Sequence, residues 1–195
     1  MLGGVVAALA VLSGVTLAGC ESTATGTPTP GPTGSDTSAS STQPTNTARL
    51  SPPVANPKNL RGIDPCDLLT AAQLPELDAD GPGEQGTSKW GERDCLWENH
   101  IFSLSLAPDT KHDGLDGSYR ERDRQFDFVP SEVTGYPAVR VNIATTFCAV
   151  IVGVADDQSL LVSYGPVAPD APGTGDPCGF AESVAAMVLA NLPTA

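Results

Sequence analysis

The sequence predicts one α+β domain, mainly an antiparallel sheet with helices at both ends and two disulfides, within residues 60–195. Three observations predict it. Strand-like segments dominate the middle of this range, signals for a helix start stand on both sides of them, and four cysteines lie in the same region. All ten aromatic residues lie between Trp90 and Phe180, so the hydrophobic core should form there. A stretch of about 135 residues is long enough for a core of its own.

The two terminal helices are predicted from the tripeptide Asp-Pro-Cys, which occurs at 64–66 and again at 176–178. Asp is a favourable N-cap and Pro is tolerated at the first helical position, so each tripeptide marks a helix start. The first helix is expected to continue until Pro75 ends it. The last is expected to bury one apolar stripe of residues four apart, formed by Phe180, Val184, Val188 and Leu192. A middle helix is expected over about 115–126.

Five strands are expected between the terminal helices, because their residues are rich in β-branched and aromatic types or alternate in polarity. They are Asp94 to Glu98, Ile101 to Ala107, Pro137 to Ile143, Phe147 to Ala155, and Ser159 to Tyr164. The last three should form a meander. Because the segment 147–155 is apolar on both faces, we expect it to be the central strand.

The cysteines of the domain are Cys66, Cys95, Cys148 and Cys178, an even number in a chain with an export signal. This number favours two disulfides over a zinc site, since the sequence has no Cys-x-x-Cys pair. Three pairings are possible. We expect Cys66 with Cys95 and Cys148 with Cys178, because each pair links a helix start to a strand near it in sequence.

The N-terminus predicts a lipoprotein signal peptide at residues 1–19. Val5 to Ala18 is apolar or small and uncharged, too short for a transmembrane helix of about 20 residues. It leads into Leu17-Ala18-Gly19-Cys20, a lipobox in which Cys20 receives a diacylglycerol and becomes the first residue after cleavage. No Lys or Arg precedes the apolar stretch, so either the true start lies upstream or the signal is weak.

Residues 20–59 are expected to be a lipidated cysteine followed by a disordered tether. From Glu21 to Asn59 there are nine Thr, six Ser and seven Pro, a composition that cannot form a packed core. Such a tether spans about 35 Å when flexible and up to about 120 Å when extended as polyproline. The predicted location is therefore the outer face of the cytoplasmic membrane, with the domain reaching into the cell wall. The Thr, Ser and Pro residues either carry sugars or form a bare spacer.

Charge and motifs exclude several classes of function. The chain carries 23 acidic and 10 basic residues, a net charge of -13, so nucleic-acid binding is not expected. No nucleophile elbow, zinc-protease motif or phosphate-binding Gly loop occurs, and both histidines, His100 and His112, are expected to be solvated. The segment 109–120 begins like a calcium loop but has Lys111 and Arg120 at ligand positions. We therefore expect no metal, no cofactor and no catalytic residue.

Two kinds of residue are left as weak site candidates. Acidic pairs that could act as acid and base are numerous in so acidic a chain, which makes each of them uninformative. They are Glu92 with Asp94, Asp113 with Asp116, and Asp156 with Asp157. Trp90 lies among Gly and Ser residues typical of a loop, so it is the better candidate for contact with a ligand, whereas Trp97 is expected in the core.

The order of these features resembles a family, the actinobacterial lipoproteins grouped as domain of unknown function 3558. The resemblance covers residues 63–193 and adds to the lipobox and tether the segments Asp64-Pro65-Cys66-Asp67-Leu68-Leu69-Thr70, Cys95-Leu96-Trp97, Gly135-Tyr136-Pro137-Ala138 and Asp176-Pro177-Cys178. It implies export, a lipid anchor and an α+β domain. The family has no established activity, cofactor or catalytic residues to transfer.

The function expected from the sequence is a non-catalytic, membrane-tethered domain that binds an envelope protein, lipid or glycan. The alternatives are an envelope-acting enzyme that uses carboxylates and a structural or assembly protein of the envelope. A deep pocket with two carboxylates about 5–9.5 Å apart would favour the enzyme. A broad apolar groove would favour the binding domain.

Overall fold

The computed structural model describes residues 48–79 and 81–195 of the 195-residue chain. The predictions for the signal peptide, for Cys20 and for most of the tether lie outside the described residues. In the described part, no helix combines the length and the apolar character that crossing a membrane requires.

The domain contains one seven-stranded antiparallel sheet, which confirms the predicted α+β class. The strand order is β1-β2-β3-β7-β6-β5-β4. The strands are β1 Glu84–Thr87, β2 Arg93–Glu98, β3 Phe102–Asp109, β4 Val129–Val133, β5 Tyr136–Ala144, β6 Phe147–Ala155 and β7 Gln158–Pro166.

The predicted meander is present as β5, β6 and β7, and all eight residues after Phe147 in β6 are buried. The middle position of the sheet nevertheless belongs to β7, because β3 pairs with β7 along its whole length, from Phe102 opposite Pro166 to Asp109 opposite Ser159. β6 is the next strand along. An apolar strand thus indicates burial on both faces, but it does not identify which interior strand is in the middle.

Two short strands, β1 and β4, were not expected from the sequence. Both lie at an edge of the sheet, and all four residues of β1 are exposed. An edge strand with little burial needs no apolar alternation, so the usual sequence signal for a strand is absent.

One face of the sheet is covered by helix α2, Pro177–Asn191, as the Asp-Pro-Cys tripeptide predicts. The Asp176 side chain accepts a hydrogen bond from the Gly179 N–H, so Asp176 is the N-cap. Val184, Val188 and Leu192 of the predicted stripe are buried in the main core, and Phe180 packs partly against it.

The other face is partly covered by helix α1, Gly114–Arg120, which is shorter than the helix predicted over 115–126. Leu115 of this helix joins a smaller core cluster with Val139, Val141, Ala149 and Ile151. A single 3-10 turn, Arg122–Arg124, follows, and none of its residues is buried. The charged run after Arg120 has no apolar side to pack, so nothing extends the helix.

The start of the domain differs from the predicted first helix. Instead of a helix over 65–74 there are two 3-10 turns, Pro65–Asp67 and Pro75–Leu77. Asp64 does cap the first turn, by accepting the Cys66 N–H at 3.0 Å. Between the turns, the Gln73 side chain accepts the Thr70 N–H and the Thr70 hydroxyl accepts the Gln73 N–H, the capping-box arrangement that starts a new helical turn. The Leu74 N–H donates to the Thr70 carbonyl at 3.2 Å, so the chain restarts at Thr70 instead of continuing from Pro65 as one helix.

Residues 48–59, which the sequence analysis places in the tether, lie against the domain. Arg49 pairs with Asp156 in the β6–β7 turn at 2.5 Å. Ser51 is buried, and Lys58 forms an isolated bridge with Thr194 near the C-terminus. Polar side chains and single backbone hydrogen bonds make these contacts. The composition of the segment therefore does not show that residues 48–59 pack against the domain.

Both predicted disulfide pairings are present. Cys66 and Cys95 have a Cα–Cα distance of 5.1 Å and join the first 3-10 turn to β2. Cys148 and Cys178 have a Cα–Cα distance of 5.0 Å and join β6 to the first turn of α2. The second bridge attaches the main helix directly to the interior of the sheet.

Candidate functional site

A groove of about 570 Å³ lies beside the Cys66–Cys95 disulfide. We call it the apolar groove. It is larger than the clefts beside Arg93 and Trp90 described below. Its lining includes the disulfide residue Cys66, the apolar residues Leu69, Ala71, Leu74 and Pro82, and the polar residues Asp64, Asp67 and Gln85.

The apolar groove is formed where the two 3-10 turns face the chain that enters β1. A neighbouring cavity of about 370 Å³ shares Ala71, Leu74 and Pro82 and extends the groove toward Pro75. Ala71, Pro75 and Pro82 are exposed, so this apolar surface is open to solvent. The groove is present because residues 68–74 do not form the predicted helix. Their apolar side chains therefore lie partly in the core and partly along the groove.

The Asp64 carboxylate at the groove is held by several partners. Its Oδ1 atom accepts a hydrogen bond from the Cys66 N–H, and its Oδ2 atom accepts hydrogen bonds from Gln85 Nε2 at 2.9 Å and from Arg93 at 2.7 Å. These three donors fix the position of the carboxylate, so it is suited to a structural role or to orienting a ligand.

A second cleft, of about 310 Å³, lies on the other side of Pro65. We call it the cationic cleft, because Arg61, Arg93 and Lys111 line it. Arg61 pairs with Asp157 at 2.8 Å, which lowers the pKa of that carboxyl, and Arg93 pairs with Asp64 at 2.7 Å. The cleft brings together cations that are far apart in the sequence.

The weak candidate Trp90 lines a third, small cleft of about 130 Å³. Lys89 lies 4.7 Å from the centre of the Trp90 ring, a distance typical of a cation–π contact. His112 and Asp109 line the same cleft. The structure thus brings Trp90 close to one of the two histidines, although it does not bring Trp90 into the apolar groove.

Glu92, Asp109 and His112 form a polar cluster between the cationic cleft and the Trp90 cleft. One possible metal-ligand atom from each of the three lies within 4.8 Å of the other two. Asp109 is only 2 % exposed, and its Oδ1 atom lies 2.9 Å from His112 Nδ1. The sequence predicts a solvated His112, whereas the structure leaves only half of its side chain exposed.

Glu92 is held by the segment that follows β3. Its two carboxylate oxygens accept the Thr110 N–H and the Thr110 hydroxyl, each at 2.8 Å. Burial alone would raise the pKa of Glu92, but these bonds and the nearby charge of Lys111 outweigh it and the pKa lies below its ordinary value. Glu92 is therefore ionised and oriented, which does not suit a proton donor.

Two of the three acidic pairs named from the sequence are held by basic partners in the structure. Asp156 pairs with Arg49 and Asp157 with Arg61, while Asp113 and Asp116 both contact Arg120. Glu92 lies near Asp109 and not in a joint site with Asp94. Sequence reasoning considered Asp109 only as the start of a calcium-like loop and did not name Arg61 or Arg93. The partners of the two arginines, Asp157 and Asp64, are distant in sequence, so no local motif marks them.

Comparison with known proteins gives one family. Residues 15–191 match the family model described as "Protein of unknown function (DUF3558)". No curated protein and no solved structure matches the chain. Since the match covers most of the 195 residues and includes every strand and helix of the described domain, the chain belongs to the DUF3558 family.

Proposed function

We propose that this chain is a non-catalytic binding domain outside the cytoplasmic membrane, tethered through a lipid on Cys20, and that it holds an apolar part of an envelope component. The observation that carries the proposal is the apolar groove of about 570 Å³. This volume lies within the range of about 300–1,000 Å³ typical of ligand sites, which combine mainly apolar walls with a few polar groups.

The lining of the groove fits this role. Its lining combines four apolar residues with two carboxylates and an amide, so apolar and polar groups contribute about equally to the exposed surface. The Asp64 carboxylate already has three hydrogen-bond donors. Burial of an apolar group in the groove would contribute about 25 cal/mol of binding free energy per Å² of apolar surface removed from water. The Asp64 carboxylate would keep its hydrogen-bond donors.

A second candidate function is hydrolysis by carboxylates, and the proximity of Glu92 to Asp109 is the observation that favours it. Such an enzyme needs one carboxyl that keeps its proton near neutral pH. Glu92 has a lowered pKa, and Asp109 accepts the N–H groups of Lys111 and His112. These contacts support the binding proposal over the enzymatic one.

The proposal is tested by filling the groove. Ala71→Trp places an indole on the exposed groove wall, and Ala190→Trp is the matched control on the exposed side of α2. We expect the groove variant to bind the neutral dye Nile red, and lipids from an envelope extract detected by native mass spectrometry, at least about tenfold more weakly. The control should bind like the wild type. Equal binding by both variants, or none by the wild type, contradicts the proposal.

Turnover measurements separate the two candidate functions. Wild type, His112→Ala and Trp90→Ala are incubated with extracted envelope glycans and lipids, and products are followed by mass spectrometry. We expect no turnover by any of the three. Because Trp90 lies outside the apolar groove, Trp90→Ala should bind Nile red like the wild type. Reproducible wild-type turnover that disappears in His112→Ala would favour the enzyme.

A further inference from the structure

We infer that the cationic cleft is a binding site for a phosphate group, held by Arg61, Arg93 and Lys111. This inference does not require the apolar groove to be occupied, because the two cavities have separate linings on either side of Pro65.

The distribution of charge is the first argument. The whole chain has only 10 basic residues against 23 acidic ones. Three of those ten line one cleft of about 310 Å³. Each of the three cations has a carboxylate within 3.8 Å, from Asp157, Asp64 and Glu92, so an anion can bind in the cleft only through the donors that these carboxylates leave free.

The ion pairs around the cleft leave donors for a ligand. The side chains of Arg61, Arg93 and Lys111 are 47 %, 58 % and 67 % exposed. A guanidinium has five N–H donors, yet within the described residues Arg93 uses one nitrogen, toward Asp64, and Arg61 uses one, toward Asp157 and the Thr110 carbonyl. An exposed ion pair contributes at most about 1 kcal/mol to stability, so an anion that contacts all three cations loses little free energy by weakening their existing ion pairs.

Glu92 also lines the cleft, and its charge must be considered. Its carboxylate is only 12 % exposed and accepts both donors of Thr110. The nearest cation, Lys111, is 3.8 Å away, outside ordinary hydrogen-bond distance. Most of the Glu92 charge is therefore satisfied by the protein, and Lys111 keeps its donors.

The cleft has a rigid frame, which lowers the cost of ordering the site on binding. Leu60 is 1 % exposed, and its N–H donates to the buried Gln158 side chain at 2.8 Å. On the opposite side, Arg93 begins β2, next to the bridged Cys95. The two arginines are thus attached to elements that are fixed by the core.

The ligand class follows from the donors. Two planar guanidinium groups and one ammonium match the several oxygens of a phosphate, which accepts paired N–H bonds from arginine. A lipid headgroup, a phosphate-bearing wall polymer and free phosphate share this chemistry, so the site is assigned to the phosphate group itself.

The test uses the chain with Cys20→Ala, so that no acyl anchor contributes to binding. Titration calorimetry and amide NMR shifts are recorded at low salt with three probes: inorganic phosphate, glycerol 3-phosphate and dihexanoyl phosphatidylglycerol. We expect saturable binding of at least one probe, with the largest shifts in residues 60–65, 91–93 and 110–111. Binding of the lipid alone identifies the source as a headgroup, and binding of the two small phosphates alone identifies a soluble or polymer phosphate.

Variants separate a built site from general attraction to positive charge. Arg93→Gln should weaken the binding at least about tenfold, because charged hydrogen bonds are lost. Arg93→Lys should restore part of the affinity. The matched control is Arg124→Gln, whose side chain is 84 % exposed outside the cleft and which should bind like the parent. Equal loss in both Gln variants, or no saturation by any probe, overturns the inference, and thermal unfolding shows whether Arg93→Gln is folded.

Discussion

The carboxylate of Asp116 in helix α1 holds the backbone of Leu50: its Oδ1 atom accepts the Leu50 N–H at 2.6 Å. The same oxygen accepts the Ser51 N–H at 2.8 Å, and Arg120 lies 2.6 Å from Oδ2. The chain that leads from the predicted tether is therefore fastened to the domain at α1. Any force transmitted along that chain would act on these hydrogen bonds and on the Arg49–Asp156 ion pair one residue before them.

Acid should release this contact. Burial alone would raise the pKa of Asp116, but the two N–H donors and the charges of Arg120 and Arg49 outweigh it, so the pKa lies below the ordinary 3.8. A carboxyl with a lowered folded-state pKa stabilises fully above its unfolded value and loses this contribution as the pH falls toward the folded value. We expect Asp116→Asn to cost about 2 kcal/mol at pH 6 and less at pH 3.

Thermal unfolding at pH 3–6 measures this difference. Asp113→Asn is the matched control, since its carboxylate also contacts Arg120 but is 67 % exposed. The control should lose little stability at either pH. A cost for Asp116→Asn that does not change with pH contradicts the assigned role of the charge.

Gly114 is required at the start of α1 for two reasons. Its φ is +56°, and a Cβ there would lie 2.6 Å from the backbone nitrogen of Gln158. Gly114→Ala should therefore destabilise the domain by at least about 3 kcal/mol, through backbone strain and displacement of the β6–β7 turn. Gly135→Ala has a similar φ of +87° but open space, and should cost only about 1–2 kcal/mol. Urea unfolding compares the two, and equal losses would exclude the steric contribution.

The Cys148–Cys178 bridge should contribute about 3.5 kcal/mol, since it closes a loop with a sequence separation of 30. The double variant Cys148→Ser/Cys178→Ser leaves no free thiol at this position. Its midpoint of unfolding should lie at a correspondingly lower urea concentration. Non-reducing peptide mapping of the wild type should join Cys66 to Cys95 and Cys148 to Cys178. A peptide linking Cys66 to Cys178 would contradict both the pairing and the topology.

Cys20→Ala should abolish membrane retention. Acyl chains stabilise membrane binding by about 0.8 kcal/mol per buried methylene, whereas any contact of the cationic cleft with lipid phosphates is electrostatic and is weakened by high salt. Cell fractionation with high-salt washing measures retention, and an exported variant in the soluble fraction is expected. The lipid anchor is the wrong assignment if the variant still sediments with membranes.

Much of the fold could be predicted because its signals are local. The strand 147–155 was predicted with its observed bounds, and the Asp-Pro-Cys tripeptide identified the start of α2. Pairing of cysteines near in sequence identified both disulfides. The predicted first helix was wrong, because the Thr70–Gln73 capping box starts a new turn in the middle of the expected helix.

The sequence by itself determined the strong acidity and correctly predicted the disulfide pairing, because both depend on residue type and short spacing, while its export and lipidation signals stay predictions. Only the tertiary structure decided the position of β7 in the middle of the sheet and the surfaces available for binding. The apolar groove exists because residues 68–74 turn beside the chain entering β1. The cationic cleft exists because the folded chain brings Arg61, Arg93 and Lys111, distant in sequence, to one surface. Contacts between residues so far apart depend on strand order and packing, and no short pattern encodes them.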